Sequence, residues 1–150
     1  MARFLSRVQR VVGLGGRVVV LVTGNRELQA LNRRFRGQNR PTDVLSFSAA
    51  AEAPDGLRGD IALSAEMAAA TAARLEHSIA EELKILILHG VLHLAGYDHE
   101  ADGGKMSHLE ARLRRTLRLP GSLIQRAGQS GRRPPSRFPA AARNGRRRRT

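Results

Sequence analysis

Three of the chain's five histidines, His89, His93 and His99, fall within eleven residues. A spacing of four sets the His89 and His93 rings on one face of a helix, and Gly96 lets the chain leave that helix so that His99 swings round to the same point. Three neutral imidazoles suit a divalent cation such as zinc. A tetrahedral ion held by three protein ligands keeps its fourth position for water, which is the arrangement of catalytic rather than structural zinc. Without a cation, a trio of buried rings needs compensating hydrogen bonds that a small core is poorly able to supply. The chain has no cysteine, so thiolate sites, disulfides and thiol nucleophiles are excluded, and any metal must rest on His, Asp or Glu.

The spacing H-x-x-x-H-x-x-G-x-x-H equals that of the metzincin proteases, which carry a glutamate general base directly after the first histidine. Here that position is Gly90, so the usual route of peptide hydrolysis loses its base. A glycine inside a helix costs about 1 kcal/mol relative to alanine, and Gly90 is therefore expected to leave room beside the metal. Phosphodiester hydrolysis is better matched, because a metal that acidifies its water to a pKa of about 7 and polarises a phosphoryl oxygen needs no separate carboxylate base.

The elements that must position this trio are legible from periodicity. Phe4, Leu5, Val8, Val11 and Val12 repeat at helical spacing and predict a first helix. Residues 17–23 read as a strand; the valine-rich run 18–22, bounded by Gly16 and Gly24, suits burial on both faces. Asn25 is positioned to cap a helix over residues 26–36, with Leu28, Leu31 and Phe35 on one face and Gly37 as its stop. Residues 44–47 and 60–63 read as two short strands joined by an Ala/Pro/Gly-rich connection. Ser64 caps a helix over residues 65–76 with Met67, Thr71 and Leu75 as its buried stripe. Ser78 and Glu81 have the form of a capping box, opening a helix that is apolar on nearly every side from Leu83 to Ala95 and is therefore central. Met106, Leu109, Leu113 and Leu117 write a last amphipathic helix, with Glu110 and Arg114 paired at i, i+4.

Charge divides the chain. Of 26 basic residues, 24 are arginine, against 13 acids, for a net +13 over 150 residues. Residues 1–119 carry 17 cations and all 13 acids, whereas nine arginines and no acid follow Pro120. One domain over 1–119 and a disordered arginine-rich tail over 120–150 are expected, the tail being suited to nonspecific, salt-sensitive contact with a polyanion. Residues 1–26 lack acids, as a targeting peptide would, but Arg17 interrupts any apolar signal region and a strand follows at once. The longest uncharged run, 85–97, is too short to span a bilayer. A cytoplasmic protein without membrane association is expected.

At this point a resemblance appears. The run from His89 to His99 resembles the metal signature of the YbeY family, the single-metal endoribonucleases of ribosomal RNA maturation. Leu31-Asn32, Phe35-Arg36-Gly37, the run from Pro41 to Phe47, Gly59-Asp60-Ile61 and His77-Ser78 resemble its other blocks in the same order, covering about residues 17–118. The resemblance implies an α/β (α+β) fold: a small mixed sheet packed with about five helices, zincin-like, in one domain with a central metal-bearing helix. It implies His89, His93 and His99 as ligands of one Zn2+ per chain, and Arg36 as the functional arginine. The implied activity is single-strand-specific cleavage of RNA in maturation of the 3′ end of small-subunit ribosomal RNA and in ribosome quality control. The implied partners are ribosomal RNA, the small subunit, one of its proteins and an assembly GTPase. An assembly factor with a mainly structural metal, and a zinc metallopeptidase, are the competing readings.

Departures from the family pattern are Ser48, where a proline commonly stands, and Gln38-Asn39 in place of a charged pair. Asp98 either orients a ligand histidine or turns the chain after Gly96. Asp60 either lines the cleft or closes a turn, and Asp43 is left open. Tyr97 is expected to pack, His77 to be exposed before a cap, and His108 to be solvated. The few aromatic residues are wanted by the core, so RNA contacts are expected to run through phosphates rather than stacked bases.

Overall fold

The computed structural model describes residues 1–121. Within them the order is α1 (Ala2–Val12), β1 (Arg17–Thr23), α2 (Asn25–Arg36), β2 (Val44–Ser48), a 3-10 turn at Pro54–Gly56, β3 (Leu57–Ser64), α3 (Ala65–Arg74), α4 (Ile79–Leu94) and α5 (Lys105–Thr116). This is the small mixed sheet with about five helices that the resemblance implies, built from strands and helices that the periodicity predicts. Beyond Gly121, the arginine-rich tail expected over 120–150 lies outside the described residues.

The sheet runs β1-β3-β2, with β1 parallel and β2 antiparallel to the central β3. The main core lies on one face, where α1, α4 and α5 bury Val8, Ile61, Leu63, Leu86, Leu88, Val91, Leu92 and Met106. Full burial of each such large apolar side chain contributes about 1.5–3 kcal/mol. A smaller cluster of Leu28, Leu45 and Ala62 sits on the other face beneath α2.

β1 departs from the expectation of burial on both faces. It is an edge strand whose Val18 and Val20 pack into the main core, while Val19 and Leu21 remain 40% and 45% exposed because α2 leaves that side of the sheet partly open. Helix α2 starts at Asn25 itself, with Gly24 at the cap position. Asn25 is drawn instead into a hydrogen bond with the Ser64 hydroxyl, and the Glu66 carboxylate accepts the Asn25 N–H at 3.1 Å. In α3 the buried stripe is Ala68 and Ala72, one residue on from the Met67–Thr71–Leu75 register. Small side chains let α3 approach its neighbours closely there.

Helix α4 forms as its sequence dictates. The Ser78 hydroxyl accepts the Glu81 N–H and the Glu81 carboxylate accepts the Ser78 N–H, completing the capping box. Nearly every residue from Ile85 to Leu92 is buried. Gly90 is needed for packing rather than for space beside a metal: a Cβ there would lie 2.9 Å from Ile61 Cδ1 and Cγ2 and 3.0 Å from the Ser46 hydroxyl. The glycine brings the metal-bearing helix against β2 and β3, and the Ser46 hydroxyl donates to the Gly90 carbonyl at 3.3 Å.

Candidate metal centre

His89 and His93 project from adjacent turns of α4, and their Nε2 atoms stand 3.1 Å apart. The helix then ends in a tight reversal in which the Gly96 N–H donates to the His93 carbonyl and the Tyr97 N–H to the Leu92 carbonyl. Gly96 takes φ +95°, a left-handed conformation that costs a glycine little. Asp98 accepts the Glu100 N–H on Oδ1 at 3.0 Å, closing the turn that carries His99. The His99 ring centroid thereby comes to 5.7 Å from that of His89 and 5.5 Å from that of His93. One nitrogen from each of the three rings lies within 4.8 Å of the others.

The trio fits a divalent ion on the chemistry of its donors. Two nitrogens each about 2.05 Å from a tetrahedral ion stand about 3.3 Å apart, close to the observed Nε2 separation. His89 Nδ1 lies 3.0 Å from the Glu110 carboxylate. A carboxylate only accepts, so Nδ1 carries the hydrogen and Nε2 turns its lone pair toward His93. Burial holds the His93 pKa down to about 4, helped by repulsion from His89 and His99 whenever those rings are protonated and from the Arg36 guanidinium. His93 is therefore neutral at neutral pH and free to ligate.

Glu110, paired with Arg114 at i, i+4 as the spacing predicts, is also the carboxylate that reaches the trio, a contact the periodicity does not show. It is wholly buried, as is nearly all of Arg114. The Arg114 Nε meets the other Glu110 oxygen at 3.0 Å, and its Nη1 donates to the Pro120 carbonyl at 2.8 Å. The signal was present: Glu110 occupies the i+4 position of the stripe Met106, Leu113 and Leu117, where an apolar residue is the norm.

Arg36 ends α2, which Gly37 terminates in the left-handed region at φ +67°. It lines a cavity of about 400 Å³ together with His93, Tyr97, Asp98 and His99. Arg36 and Asp98 thus share the cavity with His93 and His99, and within the trio it is His89 that a carboxylate reaches, that of Glu110. Asp43 is held in its neutral form more than an ordinary carboxyl by burial, against the opposing pull of its own backbone N–H and the nearby His89. Asp60 is exposed and lines a groove with Phe47 on the other side of the sheet.

His77 differs from the expectation of an exposed residue. Its Nε2 lies 2.6 Å from Glu82, with side-chain exposures of 7% and 1%, because the turn before α4 folds the ring under the helix's first turn. His108 is exposed, as expected, and donates from Nδ1 to the Gly104 carbonyl. Phe35 is not taken up by the core: it remains 56% exposed while meeting Phe47 at 5.1 Å between ring centroids.

A mixed sheet backed by a buried helix, with three imidazoles gathered where that helix ends in an open cleft, defines a small α/β protein whose three histidines could hold a metal ion. The chain belongs to the endoribonuclease YbeY family, whose model matches residues 2–118. It is 55% identical over 126 residues to Endoribonuclease YbeY of Koribacter versatilis, covering 84% of this chain and 81% of that protein. It is 48% identical over 124 residues to Endoribonuclease YbeY of Solibacter usitatus, covering 83% and 82%. The solution structure of TM1509 from Thermotoga maritima superposes with a TM-score of 0.54 at 27% identity, over 91% of this chain and 89% of that one.

Proposed function

We propose that this chain is a metal-dependent endoribonuclease that cuts single-stranded RNA, and that it acts in maturation of the 3′ end of small-subunit ribosomal RNA and in ribosome quality control. The observation that carries the reading is the convergence of the His89, His93 and His99 nitrogens within 4.8 Å, beside a cavity that His93, His99 and Arg36 line together. His89, His93 and His99 would hold one zinc ion per chain, which when bound supplies Lewis acidity toward water and toward a phosphoryl oxygen. Glu110 keeps the hydrogen on His89 Nδ1 and fixes the ring's orientation. Arg36, as the catalytic arginine, neutralises charge that develops on the phosphoryl oxygens, for which a planar guanidinium with paired donors is well shaped. The Asp98 turn holds His99 in position.

Peptide hydrolysis is the weaker reading because the position that needs a glutamate is a glycine packed against the sheet. No helix among the described residues is long and apolar enough to cross a membrane, and we assign the protein to the cytoplasm, where its ribosomal RNA substrate is matured. By family resemblance its protein partners are a small-subunit ribosomal protein and an assembly GTPase.

One comparison tests the reading. Ribosomal RNA and an unstructured polypeptide are each incubated with the wild type, a chelated sample, Arg36→Ala and His93→Ala. RNA cuts by the wild type that vanish in the other three are expected. Intact RNA throughout, with small-subunit binding preserved, would replace the reading with an assembly role; polypeptide cleavage would replace it with a peptidase.

A further inference from the structure

Tyr97 lines two concavities. One is the cavity lined by His93, His99 and Arg36; the other is a shallow depression of about 600 Å³ whose wall is formed by Lys105, His108, Arg112 and Arg115 of α5. These four fall at i, i+3, i+7 and i+10, which at 100° per residue confines them to an arc of about 80° and spreads them over about 15 Å of helix. All four are exposed. Among the described residues no carboxylate lies within ion-pair reach of Lys105, Arg112 or Arg115.

The acids that could have neutralised this face are directed elsewhere. Glu110, the one acid of α5, points into the core. Asp102 caps the helix, taking the Gly104 N–H on one oxygen and the Met106 N–H on the other. Asp98 closes the turn before it. Arg112 and Arg115 stand three residues apart on this face and repel each other, so a face of this kind is suited to a counter-charge from outside. The chain's own tail cannot supply it, because the residues after Pro120 carry nine arginines and no acid. A second copy presenting the same face would be repelled for the same reason.

We propose that this face of α5 is a phosphate track for the RNA strand that passes through the metal cleft, with Tyr97 at the corner the two concavities share. The proposal rests on the RNA-cutting reading and extends it: Arg36 takes the phosphate at the centre, and α5 takes phosphates several nucleotides away. Its contacts are to the backbone, so it adds affinity without sequence preference.

The test compares full-length wild type, Arg112→Gln/Arg115→Gln and the charge-retaining Arg112→Lys/Arg115→Lys, each with metal bound and each checked for an unchanged thermal midpoint. Cleavage is measured on a single-stranded 12-nucleotide RNA and on a 4-nucleotide RNA too short to reach from the cleft along α5. The glutamine pair is expected to raise KM for the long strand with kcat unchanged and to leave the short strand unaffected. It should also flatten the slope of log(kcat/KM) against log salt by about 1.4, since each phosphate contact to a single strand contributes about 0.7. The lysine pair should restore the slope. Equal KM and equal slopes for glutamine pair and wild type on the long strand overturn the track, whereas a wild type that cuts neither strand overturns the RNA-cutting reading itself. Unchanged RNA kinetics with lost binding to polyglutamate would reassign the face to an acidic protein.

Discussion

The Nδ1 of His89 and the Oε2 of Glu110 stand 3.0 Å apart, and Glu110 has no exposed surface. This contact links α4, which carries two of the three imidazoles, to α5, the last helix among the described residues. It fixes the tautomer and plane of the His89 ring and raises the basicity of the ring's other nitrogen. Arg114, itself buried, completes the arrangement by pairing with the second carboxylate oxygen.

Glu110→Gln is expected to weaken zinc binding about 10- to 100-fold, the usual effect of altering a partner that orients a metal ligand. Glu110→Ala goes further, because it leaves the Arg114 charge buried without its carboxylate; a loss of about 3–5 kcal/mol in unfolding free energy is expected. Calorimetric zinc titration checks the first and urea unfolding of the metal-free protein the second. Wild-type zinc affinity in the glutamine variant would detach Glu110 from the site.

Gly90→Ala is expected to destabilise the protein although alanine is the better helix former by about 1 kcal/mol. The added Cβ would meet Ile61, which is fully buried and cannot yield, at 2.9 Å. Overpacking of this kind typically costs about 1–3 kcal/mol, so the net change in urea unfolding should be a loss. A stabilised variant would mean that the contact between α4 and the sheet has slack.

What the sequence disclosed and what it withheld divide along physical lines. The histidine register, the Ser78–Glu81 cap and the apolar run of α4 are local patterns, and each is found where its spacing predicts. The exposure of β1 and the inward turn of Glu110 are not local. Val19 and Leu21 are exposed because of where α2 ends over the sheet, and Glu110 is buried because α5 docks with that face inward. Gly90 was recognised as special, but its reason lay in Ile61 and Ser46, distant in sequence and adjacent in space. His77 is drawn inward, against the expectation of exposure, for the same cause: its partner Glu82 becomes available only once α4 has formed.

Ser78→Ala should remove the hydroxyl that accepts the Glu81 N–H and cost about 1 kcal/mol, the usual value of such a cap. The effect should also depend on pH. The Ser78 N–H and hydroxyl hold the Glu81 carboxyl below its ordinary range, so the charged form is favoured in the folded state. That contribution is present above the unfolded carboxyl's pKa near 4.5 and is lost as pH falls through the lower folded value. Thermal unfolding of wild type and variant at neutral and at acid pH should therefore give a difference that shrinks at acid pH.

The last prediction concerns the metal-free protein. His93 titrates near 4 in the folded chain because burial and its charged neighbours disfavour the imidazolium, whereas an unfolded histidine titrates near 6.5. Between those values the unfolded state binds more protons, so the stability of chelated protein should rise with pH from about 4 to about 6.5 and fall as the medium is acidified across the same window. His93→Gln should remove part of that slope. Zinc binding needs the neutral ring, so the cation should protect the wild type against acid until protons displace it and should protect the variant far less. Urea unfolding at several pH values, with and without zinc, measures all of this. A metal-free wild type whose stability is flat from pH 4 to 6.5 would mean that the His93 ring is hydrated and protonates as freely in the folded chain as in the unfolded one.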